Sequence, residues 1–184
     1  MSELDLAREA IADFVPSETA QERAQRHMLA FVDGHPDALH RSCAAGHLTA
    51  SAVVLSADST KALFLLHAKA RRWFQPGGHA DGMTDMSEVA LKEANEETGI
   101  VGLVIEAGPI DLDVHEVNFR GESAHLHLDL RYLIRAPHDA QEIANEESLA
   151  LAWHDLPSLA GLGVDDSTMR VARIGLRLGA GSVT

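Results

Sequence analysis

The sequence is poor in cysteine, aromatic residues and basic residues, and each shortage excludes a class of protein. The single cysteine, Cys43, cannot form an intrachain disulfide, which fits a reducing cytoplasm. Aromatic residues make up 4% of the chain, so the core must be mostly aliphatic. Lys and Arg number 15 against 28 Asp and Glu, which gives a formal net charge of -13. Because binding to a phosphate backbone needs an excess of basic residues, we expect no nucleic acid polymer as a partner.

Long apolar runs are also missing. No stretch approaches the roughly 20 apolar residues of a membrane-spanning helix. The N-terminal stretch MSELDLAREAIADF is acidic and lacks the apolar segment of a signal peptide. We therefore expect a cytoplasmic protein with no membrane partner. Hydrophobic residues make up 46% of the 184 residues, which is enough for one domain with an added segment.

The hydrophobic pattern divides the chain into two parts. Residues 1–46 predict an N-terminal helical extension, with helical segments at 4–15, 17–34 and 37–46. Residues 47–184 predict a mixed α/β domain. Its strands are expected at 47–57, 62–70, 101–108, 111–119, 125–136 and 150–156, and its helices at 85–98 and 166–180.

A glycine loop leads into an acidic helix within QPGGHADGMTDMSEVALKEANEETGI, residues 75–100. Glu93, Glu96 and Glu97 share one helical face, because residues three and four apart are neighbours. Like charges at this spacing repel, and a hard divalent cation with oxygen ligands would offset the repulsion. A solvated helix end is the other interpretation. The glycine loop favours the cation, because Gly77-Gly78 lets the backbone approach a ligand closely.

This stretch resembles the Nudix box. That pattern is a glycine, five residues, a glutamate, seven residues, Arg-Glu, an aliphatic residue, any residue, Glu-Glu, any residue, a glycine and an aliphatic residue. The positions that match are Gly78, Glu93, Glu96, Glu97, Gly99 and Ile100. The preceding residues 73–77, WFQPG, are also frequent in that family. The resemblance spans about residues 47–156 and implies a Nudix-type α/β/α sandwich with a mixed sheet.

Two positions depart from the family pattern. Thr84 replaces its first glutamate, and Lys92 replaces its arginine. In the family these two residues support the loop and the helix as an ion pair. Here a contact of Lys92 with Thr84, Asp81 or Asp85 is expected to take its place. Lys lacks the planar bidentate fork of Arg, so we expect weaker support.

The resemblance also implies a function, namely a metal-dependent pyrophosphohydrolase that cleaves a diphosphate linkage in a nucleoside diphosphate-X substrate. Glu93, Glu96 and Glu97, with the carbonyl of Gly78, would hold Mg²⁺ or Mn²⁺. Either Glu93 or Glu97 would act as general base. A further metal ligand is expected from the loop before the last strand, where Glu147 is the first choice and a solvated loop the alternative. The partner would be a small-molecule diphosphate, and a homodimer through the N-terminal helices stays open.

Four residues of the loop are candidates for substrate binding: Arg71, Arg72, Trp73 and His79. A basic turn balancing the acidic chain and core packing of Trp73 are the competing interpretations. His125, His127 and Asp129 fall on one face of a strand. They represent either the polar side of the sheet or a transition-metal set.

Two other functions remain open at this point. Isopentenyl diphosphate isomerases share the Nudix fold and use a cysteine and metal-binding histidines, and the chain places Cys43 and His47 before and within the first strand. A buried single cysteine is more often a small apolar residue, which argues against this function. The third function is a non-catalytic Nudix-like nucleotide-binding module. The loss of the first box glutamate favours it, and the retained glutamates oppose it.

Overall fold

A computed structural model describes residues 3–118, 123–145 and 148–181. The helices are α1 (Asp5–Asp13), α2 (Thr19–Gly34), α3 (Met86–Thr98), α4 (Leu156–Gly161) and α5 (Asp166–Gly181). The strands are β1 (Gly46–Leu55), β2 (Ala62–His67), β3 (Trp73–Phe74), β4 (Gly77–His79), β5 (Val104–Val117), β6 (His125–Arg135) and β7 (Ser148–His154).

The strands form one mixed sheet in the order β3-β2-β1-β6-β5. Strand β1 lies at its centre and pairs in parallel with β6, in a register that joins His47 to His127 and Thr49 to Asp129. Every residue of β1 is buried, as expected of a strand covered on both faces. The remaining pairs are antiparallel, including those of β4 with β1 and of β7 with β2.

Helices cover both faces of the sheet. Ala94 of α3 packs in one hydrophobic cluster with Val54 of β1. Val171 of α5 packs in another cluster with Val53 and Leu55 of β1. Neighbouring residues of a strand point to opposite faces, so a single strand supplies both clusters. The arrangement confirms the α/β/α sandwich.

The N-terminal helices pack against the same domain. Ile11 of α1 and Met28 of α2 are fully buried in a cluster that also contains Val89 of α3, Leu48 of β1 and Leu128 of β6. The Gln21 amide, on α2, donates to the Asp111 carboxylate at 2.9 Å. The predicted N-terminal helices are therefore present and contribute to the core that supports α3.

Residues 37–46, predicted as a third helical segment, form consecutive turns instead. Their backbone N–H groups reach carbonyls three residues back, as in Cys43 to His40 at 3.0 Å. The carbonyls of Ala38 and Leu39 accept instead from Leu48 and Gly82, at 2.7 and 2.9 Å. Helical hydrogen bonds are lost because other segments of the domain take those acceptors.

The two strands predicted at 101–108 and 111–119 are one strand, β5. The register of β5 against β6 shifts between Ile105 and Asp111, in a region that contains the cis peptide bond Gly108–Pro109. The interruption is absorbed as a bulge, and pairing resumes beyond it. None of the helices in the described ranges has the length and apolar character that crossing a bilayer requires.

Candidate functional site

Helix α3 presents its acidic face in a fixed orientation because both of its ends are capped. The Asp85 carboxylate accepts hydrogen bonds from the backbone N–H groups of Ser87 and Glu88. At the other end Gly99 has φ 67°, a left-handed conformation that favours glycine, and its N–H donates to the Asn95 carbonyl. These caps set the helix bounds within one residue of those predicted.

The glycine loop lies directly against the acidic face. The Gly77 N–H donates to the Glu97 carboxylate at 2.8 Å. A Cβ atom at Gly78 would lie 2.5 Å from the Glu93 carboxylate, so any larger residue there would displace that carboxylate from its present position. Pairing of β4 with β1 holds both glycines in place. The structure therefore brings Gly78, Glu93 and Glu97 together.

Lys92 lies over the same face and neutralises part of its charge. The Lys92 ammonium is 2.8 Å from a carboxylate oxygen of Glu93 and 3.1 Å from one of Glu96. The hydrogen bond that Lys92 donates to Glu93 is the main reason that the pKa of Lys92 is raised. Lys92 thus bridges two of the three carboxylates.

The contact predicted between Lys92 and Thr84, Asp81 or Asp85 is wrong. Asp81 pairs with Arg41 through two hydrogen bonds of 2.7 and 2.8 Å. Asp85 is engaged as the N-cap of α3. With both aspartates engaged, the Lys92 ammonium pairs instead with carboxylates on its own helix.

The acidic face fits a bound divalent cation. Glu97 is 6% exposed, and its carboxylate is already oriented by the loop backbone. The Lys92 ammonium marks a place where a positive charge is stabilised by two carboxylates. Oxygen ligands from carboxylates and a backbone carbonyl are those that Mg²⁺ and Mn²⁺ prefer. The residues that would hold such an ion are Gly78, Glu93, Glu96 and Glu97.

The double substitution Thr84→Glu with Lys92→Arg is expected to leave turnover unchanged or to raise it. An arginine fork pairs bidentately with a glutamate, and this pair would draw the basic group away from Glu93 and Glu96. The measurements are turnover and the Mg²⁺ concentration for half-maximal activity, with Lys92→Arg alone as the control. A collapse of turnover in a folded double variant would mean that the loop between Gly78 and Glu93 departs from the family geometry.

The acidic face forms one wall of a cleft of about 1460 Å³. Small-molecule sites usually measure roughly 300–1,000 Å³, so the cleft has room for a nucleotide-sized ligand. Of the residues predicted to bind substrate, Arg72 and His79 line the cleft. Arg72 donates to Asp165 at 3.3 Å and lies over the Phe74 ring, 5.8 Å from its centre.

Trp73 and Arg71, also predicted to bind substrate, do not line the cleft. Trp73 packs against the cluster under α5, and its ring meets that of His154 edge-on at 5.2 Å. Successive residues of β3 point to opposite sides, so Phe74 faces the cleft instead. Arg71 is exposed at a turn position with φ 57°.

Histidines form the opposite part of the cleft. The histidine cluster consists of His47, His79, His115, His125 and His127. Ring centres in its contacting pairs lie 4.9 to 5.5 Å apart. His79 Nε2 is 3.3 Å from His127 Nε2. Sheet pairing creates the cluster, because β1, β5 and β6 place His47, His115 and His127 at one level of the sheet and β4 adds His79 opposite Thr49.

Three members of the cluster have lowered pKa values, which favours their uncharged forms. Burial is the largest cause, and it lowers the pKa of His79 to about 4 and that of His127 to about 2. Burial likewise lowers the pKa of His47. A neutral imidazole cannot attract phosphate as a cation, but one of its nitrogens carries a free lone pair.

Asp129, which one of the two interpretations groups with His125 and His127 as metal ligands, contacts other residues instead. Its carboxylate accepts from two hydroxyl groups of β1 at 3.1 and 2.8 Å, and from Arg131 Nε at 2.9 Å. It is 4% exposed and lies at the buried floor of the cleft. The alternating polar residues of β6 are thus divided between the histidine cluster and a buried ion-pair network.

The predicted ligand Glu147 lies outside the described residues. The described segment before it approaches the acidic helix. The Ile143 N–H donates to the Thr98 carbonyl at 2.7 Å, and the Asn145 amide donates to the Glu96 carbonyl at 3.2 Å. Asn145 lines the cleft.

Comparison with known proteins agrees with this fold. A family model described as NUDIX domain matches residues 46–171. A protein of Lactococcus lactis subsp. cremoris (strain MG1363), named "Probable DHNTP pyrophosphohydrolase", is 29% identical over 114 residues. The match covers 60% of this chain and 66% of that protein, slightly less than two thirds of its length.

Solved structures show the same architecture. A C. elegans Ap4A hydrolase in a binary complex superposes with a TM-score of 0.60 at 18% identity, covering 73% of this chain and 98% of the other. A NUDIX family hydrolase from Clostridium perfringens gives a TM-score of 0.58 at 22% identity, covering 72% and 97%. At these identities the likeness concerns the fold.

Proposed function

This chain belongs to the NUDIX family, and from that premise we propose that it is a metal-dependent hydrolase cleaving a diphosphate linkage in a nucleoside diphosphate-X substrate. One observation carries the proposal. The Glu97 carboxylate is held by the Gly77 N–H beside Glu93, on the wall of a cleft large enough for a nucleotide. A purely binding module has no need to keep carboxylates that repel one another so close together.

The chain's own residues provide binding and proton transfer. Glu93, Glu96 and Glu97 with the Gly78 carbonyl would hold the cation, which when bound polarises phosphoryl oxygens and makes water a better nucleophile. Either Glu93 or Glu97 accepts the proton of the attacking water. The hydrogen bond from Gly77 keeps the Glu97 carboxylate oriented before substrate arrives.

Other lining residues suit the rest of the substrate. Phe74 presents a ring to the cleft beside the Arg72 guanidinium, an arrangement that can stack on a heterocyclic base. Lys69 also lines the cleft, and its positive charge would attract substrate phosphates. The proposed location is the cytoplasm, in keeping with the single cysteine.

A substrate screen tests the proposal. The panel contains nucleotide sugars, dinucleotides, dNTPs and CoA derivatives. It also contains dihydroneopterin triphosphate, because the name of the Lactococcus lactis relative refers to that substrate. Each is incubated with Mg²⁺ and with Mn²⁺, and phosphate or pyrophosphate release is scored. We expect turnover that chelation of the cation abolishes. No turnover on any member, with nucleotides still bound, would favour the non-catalytic module.

Substitution of Cys43 distinguishes the hydrolase from an isomerase. Cys43 is 4% exposed, and burial, with a hydrogen bond to Asp37, raises the pKa of its thiol. A buried protonated thiol behaves as a small apolar group. Cys43→Ala should cost about 1 kcal/mol of unfolding free energy and leave hydrolysis within a few-fold of wild type.

Thermal unfolding, turnover and thiol alkylation provide the measurements, and Cys43→Ser serves as the size-matched control. Alkylation should not inhibit the folded protein. If folded Cys43→Ala were inactive, the thiol would take part in the chemistry. Isoprenoid diphosphates would then be the first substrates to test, because Cys43 borders the cleft that holds the histidine cluster.

A further inference from the structure

We infer that His47, His79 and His127 form a second metal site, which takes a transition-metal ion of the zinc class through imidazole nitrogens. This site shares no ligand with the carboxylate face of α3. Its existence does not depend on the hydrolase proposal, because it rests on three side chains that no step of that proposal uses.

The geometry of the three imidazoles carries the inference. One ring nitrogen of each lies within 4.8 Å of the others. His79 Nε2 and His127 Nε2 are 3.3 Å apart. Two nitrogens bound tetrahedrally to Zn²⁺ at about 2.0–2.1 Å are themselves separated by about 3.3–3.4 Å. The separation of these two nitrogens, which also suits a hydrogen bond between the rings, therefore matches one edge of a zinc tetrahedron.

His47 is the second observation that points to a ligand. Its side chain is buried at 4% exposure, and neither ring nitrogen has a hydrogen-bond partner among the described residues. An unsatisfied buried polar group costs about 1–3 kcal/mol. A metal ion among the three rings would give the lone pair of His47 a partner.

The backbone holds the three ligands rigidly. His47 and His127 are paired residues of the parallel strands β1 and β6. His79 ends β4, and its neighbour in β1 is Thr49, two residues beyond His47. Ligands on paired strands are positioned more accurately than ligands on loops. The sheet has thus placed three nitrogen donors at one point of the cleft.

The chemistry of the donors selects the ion. Imidazole nitrogens suit zinc, copper, iron and nickel, whereas Mg²⁺ and Mn²⁺ prefer the oxygen ligands available on α3. Three protein ligands leave a coordination position for water or for a ligand atom, as in zinc sites that carry out chemistry.

Metal titration tests the inference. Chelator-treated protein is titrated calorimetrically with Zn²⁺ in millimolar Mg²⁺, which occupies oxygen sites, and in parallel with Co²⁺, whose visible spectrum reports nitrogen ligation. We expect one Zn²⁺ per chain. His127→Asn and His79→Asn should each weaken Zn²⁺ binding by on the order of 100-fold or more. Mutation of a residue that only hydrogen-bonds to a metal ligand already lowers metal affinity by about 10–100-fold.

Matched variants separate this site from the carboxylates. His154→Asn, a partly buried histidine outside the cleft, should bind Zn²⁺ as wild type does. Glu97→Gln should also keep Zn²⁺ binding. Loss of Zn²⁺ in Glu97→Gln with retention in both histidine variants would assign the ion to α3 and overturn the inference. Absence of stoichiometric Zn²⁺ binding by wild type would overturn it as well. If His127→Asn does not fold, His79→Asn still tests the inference. His79 lies at the end of the short strand β4, where a substitution should disturb the fold less than one within β6.

Discussion

Glu97→Gln is expected to abolish most activity and most of the thermal stabilisation by Mg²⁺ or Mn²⁺. The glutamine carbonyl can still accept the hydrogen bond from the Gly77 N–H, so the loop and the helix should keep their positions. What is lost is one negative charge and one anionic oxygen ligand, which the neutral amide replaces poorly. We expect turnover to fall by at least roughly 100-fold. Mutation of residues that only hydrogen-bond to metal ligands lowers activity by up to about 100-fold, and loss of a ligand should have a larger effect.

Two measurements check this result without relying on each other. Turnover reports the chemistry, and the rise in melting temperature with increasing cation concentration reports binding to the folded state. Glu88→Gln is the matched control, because it removes the same charge from an exposed position of the same helix. If Glu97→Gln kept both turnover and the cation-dependent shift, the assignment of the metal to α3 would be wrong.

The part of the candidate site that the sequence predicts is one uninterrupted segment of the chain. The glycine loop and α3 lie within 26 residues, 75–100, so glycine positions, a cap and a charged face can be read together. The N-cap Asp85 and the C-terminal Gly99 are local signals that set the two ends of α3. The partner of Lys92 could not be predicted, because it depends on Arg41, a residue that binds Asp81 from another part of the chain.

The histidine cluster could not be assembled from sequence, because it depends on which strands pair and in which register. A signal did exist. Polar residues alternate along each of the three strand segments that meet at the cleft: His47-Thr49-Ser51, Asp111-Asp113-His115 and His125-His127-Asp129-Arg131. Such alternation indicates that one face of the strand is polar and does not pack in the hydrophobic core. Only the pairing of β1, β6 and β5 shows that the polar faces of the three strands form one continuous surface.

The same register explains the floor of the cleft. Below the histidines, Asp129 of β6 lies beside Thr49 of β1 and Asp113 of β5. The next level pairs Arg131 with Asp111. The sheet therefore has a polar layer that passes from the histidine cluster to a buried network of ion pairs. Because buried charges require partners, this network should be sensitive to the loss of one member.

Arg131→Met is expected to be the most destabilising of the substitutions considered. Arg131 is 3% exposed, and its guanidinium contacts Asp129 at 2.9 Å, Asp111 at 3.1 Å and Asp113 at 3.1 Å. Removing it leaves three carboxylates with Arg170 as the remaining basic partner of Asp111 and Asp113. Breaking a buried pair by deleting one partner costs about 3–5 kcal/mol of unfolding free energy.

The pH dependence of that loss provides an independent check. Burial alone would raise the pKa of Asp113, but a hydrogen bond from His115, the charge of Arg131 and a hydrogen bond from Arg170 lower it instead. A carboxyl whose pKa is lower folded than unfolded stabilises the protein above its unfolded pKa, about 3.9, and loses that contribution as pH falls below it. The difference between wild type and Arg131→Met should therefore be full at pH 7 and shrink on acidification below about pH 4.

Denaturant unfolding at several pH values measures both effects, with Arg8→Met as the control. Arg8 forms a comparable hydrogen bond of 2.7 Å with Asp33, but both side chains are about half exposed, at 48% and 54%. Exposed pairs contribute little, so Arg8→Met should change stability only slightly at any pH. If Arg131→Met cost no more than Arg8→Met, the buried network would not stabilise the fold. A difference that failed to shrink in acid would instead assign the loss to packing of the arginine stem, because that contribution does not depend on whether the carboxylates are ionised.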